Sequence, residues 1–220
     1  MSIFNKKKHI LFVDKPKGIS SFDVIRILRK KLNIEKIGHA GTLDPLASGL
    51  MILGLGEGTK ELGNYLRLPK RYEVEILVGE SRTTGDMEGG VISTAKVLHL
   101  KKKDVKRVLS DMEGELELSV PKYSAIKVGG ERLYKKARRG EVFTAPKKTM
   151  KLSKIRLRGM RKDFNRYTLF VRMDVGSGAY VRSIVEEIGK RLGYPAVTKE
   201  LRRTKIGKYK VRRAMKIKVP

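Results

Sequence analysis

Gly38-His-Ala-Gly-Thr-Leu-Asp-Pro-Leu-Ala-Ser-Gly49 runs directly into the apolar Leu50-Met-Ile-Leu-Gly-Leu55. A loop broken by glycine and proline that empties into an apolar run reads as the mouth of a buried strand. It carries one carboxylate, Asp44, close to His39, in a chain of formal net charge +28. A lone Asp before Pro is most often a turn former. An isolated acid in so positive a protein is a poor anchor for a polyanion, however, so a chemical role is the other reading. Gly41 and Gly49 permit backbone paths that other residues resist, which suits a loop closely approached by a ligand.

The 220 residues suit one domain with a modest excursion, and 40% hydrophobic residues suffice for a core. The 51 Lys and Arg against 23 Asp and Glu imply a polyanionic partner, because neutralised phosphates release counterions. Nucleic acid is favoured over a membrane, since there is neither a long basic amphipathic helix nor an apolar run near ~20 residues. With no cysteine and only His9, His39 and His99, disulfides, a thiolate nucleophile and a metal site are all disfavoured. The N-terminal Met-Ser-Ile-Phe-Asn-Lys-Lys-Lys lacks a signal-peptide core, so a cytoplasmic location is expected.

Outward from the loop, His9–Val13 reads as a short buried strand stopped by Asp14-Lys-Pro-Lys-Gly18. A helix capped at Ser20 or Ser21 follows, with Asp23 in its first turn and a core stripe of Phe22, Ile25, Leu28 and Leu32. Residues 71–79 alternate with Tyr72, Val74, Ile76 and Val78 inward. Asp104 is the expected cap of a helix burying Val105, Val108, Leu109 and Met112, ended by Gly114. Tyr167–Val175 alternates again, and Ser183–Leu192 reads as a helix stopped by Gly193. Residues 121–149 differ, with a dense run of Lys and Arg and a short helix around Leu133–Arg138. A solvated loop is the bland reading, but Tyr123 and Tyr134 among cations favour nucleic acid. Strands and helices interleave without a βαβ rhythm, which predicts an α+β fold on a mixed or antiparallel sheet.

A catalytic Asp44 needs a cationic partner. Gly176-Ser-Gly-Ala-Tyr-Val-Arg-Ser183 offers Arg182, which in an extended segment points to the same side as Tyr180. Arg182 could hold a carboxylate by two parallel hydrogen bonds, and Tyr180 could cover a flat substrate. A surface arginine and a core tyrosine are the alternative. Tyr72 by itself reads as a core aromatic with a wet hydroxyl. Gly54-Leu-Gly-Glu-Gly-Thr-Lys60 fits no nucleotide-loop spacing and reads as a strand exit into a helix, with Lys60 near a phosphate.

Several of these segments resemble the bacterial TruB-family tRNA pseudouridine-55 synthases. They are Gly38–Leu50 with Leu55-Gly-Glu-Gly-Thr-Lys60, Lys70-Arg-Tyr72, Tyr123–Lys127 with Leu133–Arg138, Gly178-Ala-Tyr-Val-Arg182 and Leu201-Arg-Arg203. Order and spacing match from about residue 9 to residue 210. The resemblance implies a pseudouridine synthase fold: an α+β catalytic domain over 1–220, its central mixed, mostly antiparallel sheet flanked by helices. It implies isomerisation of uridine 55 in the T loop of tRNA. Asp44 falls at the family's catalytic aspartate, Arg182 at its partner arginine, and Tyr72 at the tyrosine that stacks on the target base. Tyr180 and Leu201 line the pocket, and His39 holds the RNA loop open. Residues 121–149 correspond to the RNA-gripping thumb, with Tyr123, Lys127 and Arg138.

Three departures stand out. The usual Gly-x-x-Thr-x-Thr-x-Asp pattern reads Gly79-Glu-Ser-Arg-Thr-Thr-Gly-Asp86, which keeps Thr84 and the RNA-binding Asp86 but puts Arg82 at the first Thr. Gly176-Ser-Gly-Ala replaces Ser-Lys-Gly-Thr. The chain ends at Pro220 after a basic tail, so the family's C-terminal RNA-binding domain is expected to be absent. No cofactor or metal is expected, because the reaction only rearranges its substrate. The expected partner is tRNA, without a membrane, protein partner or guide RNA, and the protein is expected to act as a monomer. A non-catalytic RNA-binding protein and a guide-dependent synthase are the rival readings.

Overall fold

The computed structural model describes residues 9–217. The N-terminal basic stretch and the last three residues of the basic tail lie outside it. In chain order come β1 (Ile10–Lys15), α1 (Ser21–Leu32), β2 (Ile37–His39), β3 (Ser48–Leu55), a 3-10 turn (Gly56–Glu61), α2 (Leu62–Leu66) and β4 (Lys70–Val78). Then follow β5 (Glu80–Arg82), β6 (Val91–Thr94), α3 (Lys102–Asp111), β7 (Gly114–Ser119), β8 (Lys127–Val128), β9 (Glu131–Arg132) and α4 (Leu133–Arg138). The chain closes with β10 (Lys147–Asp163), β11 (Arg166–Val175), α5 (Val181–Leu192), β12 (Ala196–Ile206), β13 (Tyr209–Lys210) and β14 (Met215–Lys216). Two compact units result: one from residues up to Glu73 and from Leu201 onward, the other from Val74–Glu200.

In the first unit, β3 is the hub. β1 lies antiparallel to it from Ile10↔Gly54 to Lys15↔Gly49, and β2 antiparallel from Ile37↔Leu55 to His39↔Leu53. β12 joins in parallel through Arg202↔Ser48 and Arg203↔Gly49, and β14 runs parallel to β1. Seven consecutive residues of β3, Gly49–Leu55, are buried, as the apolar run requires of a strand covered on both faces. Leu50, Ile52, Ala40 and Ile206 form one core cluster, onto which Phe12 and Tyr209 stack with ring centroids 4.8 Å apart.

In the second unit, β10 lies antiparallel to both β11 and β7, and the β5–β6 and β8–β9 pairs are also antiparallel. α3 packs on β10 and α5 and buries Val105 and Leu109, with Met112 buried at its C-cap and Val108 only partly buried. α5 buries Ile184, Val185 and Ile188 and ends at Gly193 with φ 79°. The mixed, mostly antiparallel α+β architecture is as the sequence predicts.

Several local expectations need correction. β1 does not stop at Val13. It continues through Asp14 and a fully buried Lys15, which pair with Leu50 and Gly49 of β3, and the lysine's burial is met by its ammonium donating to the carbonyls of Pro16 (2.9 Å) and Ile19 (2.6 Å). Ser20 does cap α1, in a reciprocal box with Asp23: each backbone N–H meets the other's side chain. The buried stripe is Ser21, Val24, Ile25 and Leu28, and Phe22 is 57% exposed. Asp104 lies inside the first turn of α3 behind Lys101, so it interacts with the helix dipole rather than capping. α4 spans Leu133–Arg138 as expected, but the basic excursion closes at Lys147, where β10 begins.

Candidate functional site

Loop 40–47 is held at three points within the first unit. Ser21 Oγ donates to the Leu43 carbonyl (2.9 Å) and accepts from the Leu43 N–H (2.8 Å). The Pro45 carbonyl accepts from Gly18 N–H (2.9 Å) and from Lys15 Nζ (3.4 Å). The third hold is Arg203, 1% exposed, whose guanidinium donates to the carbonyls of Leu50 (2.7 Å), Gly41 (3.1 Å) and Thr42 (3.3 Å). Leu43, Leu46 and Ala47 point inward, while Asp44 between them stays half-buried. A carboxylate carried on a loop pinned on both sides is preorganised, which is what a reacting group needs.

Two glycines make the close approach possible. Gly41 has φ 107° and Gly49 φ 111°, and a Cβ on Gly49 would run into the Arg203 backbone. The same arginine lies 3.4 Å from the Tyr72 hydroxyl. Tyr72 is buried on β4, next to buried Lys70, whose ammonium donates to the Leu66 carbonyl. Burial first, then the charge of Arg203, lowers the Lys70 pKa to about 8. His39 ends β2, and its Nδ1 is buried with no hydrogen-bond partner. Burial, and secondarily Arg203, pulls its pKa below the ordinary value, so the ring is neutral near pH 7. Leu201 is buried at the start of this unit's share of β12. Lys60 is exposed on the 3-10 turn, where it pairs with Glu57 at 2.5 Å.

In the second unit, Tyr180 and Arg182 do not share an extended segment. Tyr180 is the extended N-cap of α5 and Arg182 lies in its first turn, because the helix starts at Val181. Arg182 is 6% exposed and donates to the carbonyls of Thr84 (2.8 Å) and Tyr123 (3.1 Å). It lies 3.6 Å from the Asp86 carboxylate. Asp86 is itself 2% exposed, accepts from Thr84 Oγ1 (2.5 Å) and Glu88 N–H (3.1 Å), and bridges to Thr198. Arg82 is tied into its own hairpin, donating to Glu80 (2.5 Å) and to the carbonyls of Met87 and Gly89 (both 3.1 Å). Within the basic excursion, Lys127 is exposed on β8 and Arg138 lies 5.5 Å over the Tyr134 ring.

The structure thus brings Asp44, Tyr72 and the unforeseen Arg203 to one scaffold, and Arg182, Asp86, Thr84 and the Tyr123 carbonyl to another. Arg203, Lys15 and Ser21 are the positioning residues that the sequence reading passed over. Only Leu201-Arg-Arg203 carried a hint of the first.

A family model described as TruB family pseudouridylate synthase (N terminal domain) matches residues 29–181. A protein named tRNA pseudouridine synthase B from Xylella fastidiosa (strain Temecula1) is 40% identical over 202 residues, 92% of this chain and 66% of that protein. Its namesake from Leifsonia xyli subsp. xyli is 37% identical over 208 residues, 93% of this chain and 69% of that one. The chain therefore spans about two thirds of the length of these relatives. Among solved structures, a chain of a Cbf5-Nop10-Gar1 complex superposes with a TM-score of 0.71 at 26% identity, over 95% of this chain and 52% of that one. A chain of an H/ACA RNP bound to a substrate RNA containing 2'-deoxyuridine gives 0.66 at 25%, over 94% and 50%. The fold is that of the pseudouridine synthases, and by family model and relatives together the chain belongs to the TruB family of pseudouridylate synthases.

Proposed function

We propose that this chain converts a uridine in the T loop of tRNA, at position 55, into pseudouridine. The observation that carries the reading is Asp44 on its three-point-pinned loop, in a chain whose relatives are named tRNA pseudouridine synthase B. The N1–C1′ glycosidic bond breaks, the uracil turns, and a C5–C1′ bond forms. N1 gains a proton and C5 loses one, so the substrate and product are isomers and the reaction needs no co-substrate. The target base must first leave its stack, at a cost of about a few kcal/mol.

Ionised Asp44 supplies the charge the reaction needs, as nucleophile toward sugar or ring or as base toward a sugar proton. Arg182 is its proposed partner, already fixed by the Thr84 and Tyr123 carbonyls and by Asp86. Tyr72 stacks on the flipped base and is the candidate for moving the C5 proton. Tyr180 and Leu201 shape the pocket, while His39, uncharged, occupies the space the base leaves. Lys60, Lys127 and Arg138 are exposed cations available to phosphates, and Tyr123 and Tyr134 to bases. Asp86, being buried, serves RNA binding through Arg182 rather than by direct contact. Both units are taken to work as one catalytic domain, in the cytoplasm, as a monomer without guide RNA or protein partner. Among the described residues no helix is long and apolar enough to cross a membrane.

The test is to incubate the purified chain with unmodified tRNA transcript and map pseudouridine. One modification in the T loop is expected, and none would sink the proposal. Asp44→Asn is expected to lower the rate at least 1000-fold while tRNA affinity stays within about twofold. Full activity in that variant would remove Asp44 from the chemistry. Modification appearing only after partner proteins are added would favour a partner-dependent assembly instead; one structurally similar chain belongs to a Cbf5-Nop10-Gar1 complex.

A further inference from the structure

The β10–β11 hairpin lies wholly within the second unit and closes at Asp163↔Arg166, leaving Phe164-Asn165 as a two-residue turn. Phe164 has φ 51° and is 91% exposed. The first central position of such a turn favours glycine, and a bulky residue there is strained. At that exposure the ring buries almost no surface to offset the strain. The turn is nonetheless firmly set: the Asn165 carbonyl accepts from Val97 N–H (2.7 Å), and Lys162 Nζ donates to the Leu98 carbonyl (3.0 Å). A lone exposed aromatic needs no explanation. An aromatic on a fixed, strained apex is a different matter.

Its surroundings are cationic. Residues 154–172 hold seven Lys and Arg and a single acid, Asp163. Arg158 occupies the bulge between the Leu157 and Gly159 pairings, and Arg161 lies 6.0 Å over the Phe170 ring. Arg156 and Arg172 face each other directly across the strands, a like-charge pairing that sheets disfavour. Glu113 neutralises the first of them, at 2.5 Å. Aromatic rings interleaved with guanidinium groups are the chemistry that binds unstacked bases and the phosphates beside them.

We propose that this hairpin is a second RNA-contact surface, where Phe164 stacks on an exposed base at the tip and Arg161 and Arg158, three and six residues back along β10, hold phosphates successively further along the same RNA strand. The occupant is RNA because the patch sets a flat exposed ring at the end of a row of guanidinium cations. The inference rests on the reading of the chain as an RNA-modifying enzyme, but its test does not need catalysis. Phe164→Gly suits the backbone, so the melting temperature should hold or rise. Affinity of the full chain for unmodified tRNA transcript, measured by fluorescence titration, should fall about tenfold, with the rate at saturating tRNA unchanged. Arg158→Gln with Arg161→Gln should make the dependence of log affinity on log salt shallower by about two. Tight binding within twofold of wild type in Phe164→Gly would overturn the proposal. So would loss of binding to anionic phospholipid vesicles with tRNA affinity intact. If the wild-type chain made no pseudouridine yet Phe164→Gly lost affinity, the activity reading would fall and the surface would stand.

Discussion

At the scale of single residues, the Asp44 loop depends on groups outside it. Ser21 both donates to and accepts from Leu43, so Ser21→Ala leaves a buried N–H and carbonyl without their partner. That should cost about 1–3 kcal/mol in urea unfolding and lower the modification rate at temperatures where the variant is folded. Lys70 makes a different prediction. Its folded pKa, about 8, lies below the 10.5 of an ordinary lysine. Below pH 8 both states carry the proton and the folded state bears the cost of burying it. Between pH 8 and 10.5 the unfolded chain holds the extra proton, so unfolding free energy rises with pH, by about 1.4 kcal/mol per unit from this group. Lys70→Met should remove that slope from pH-dependent urea titrations. A slope unchanged by the substitution would contradict the assignment.

At the scale of elements, Gly49 is where two strands come closest. The Gly49↔Arg203 pairing leaves no space for a side chain, and the φ of 111° is unsuited to one. Gly49→Ala should therefore separate β3 from β12 and destabilise the protein by about 3 kcal/mol or more, measured by thermal or urea unfolding. Elements were legible in the sequence where local signals agreed. β3 announced itself by an unbroken apolar run, and α1 by a serine cap ahead of Asp23 and helically spaced apolar residues. β10 did not. Two register shifts, between Ser153 and Arg156 and between Leu157 and Gly159, break its period of two, and cations fill its outward positions. The Tyr180–Arg182 geometry was misjudged because a helix start two residues earlier, at Val181 rather than Ser183, replaces alternation with a turn. Arg203 was hidden for another reason. Next to Arg202 in a basic chain it looks like surface charge, and its partners lie 131 to 162 positions away.

For the whole molecule, a net charge of +28 should dominate encounter with RNA. Affinity for tRNA should fall steeply with salt, on the order of 1000-fold between about 50 and 200 mM, if some six phosphates are neutralised. A nearly flat salt titration would mean that the charge is generic rather than a binding surface. The first unit is also discontinuous in sequence, being completed by residues from Leu201 onward, whereas Val74–Glu200 is one unbroken stretch. A chain leaving the ribosome can therefore close its second unit while its first is still waiting for β12. Arg203, the clamp on Gly41 and Thr42, emerges more than 150 residues after the loop it secures. The Asp44 loop, among the first segments to be synthesised, is thus among the last to be finished, and a prematurely terminated product would keep its Ser21, Gly18 and Lys15 holds but lack the Arg203 clamp.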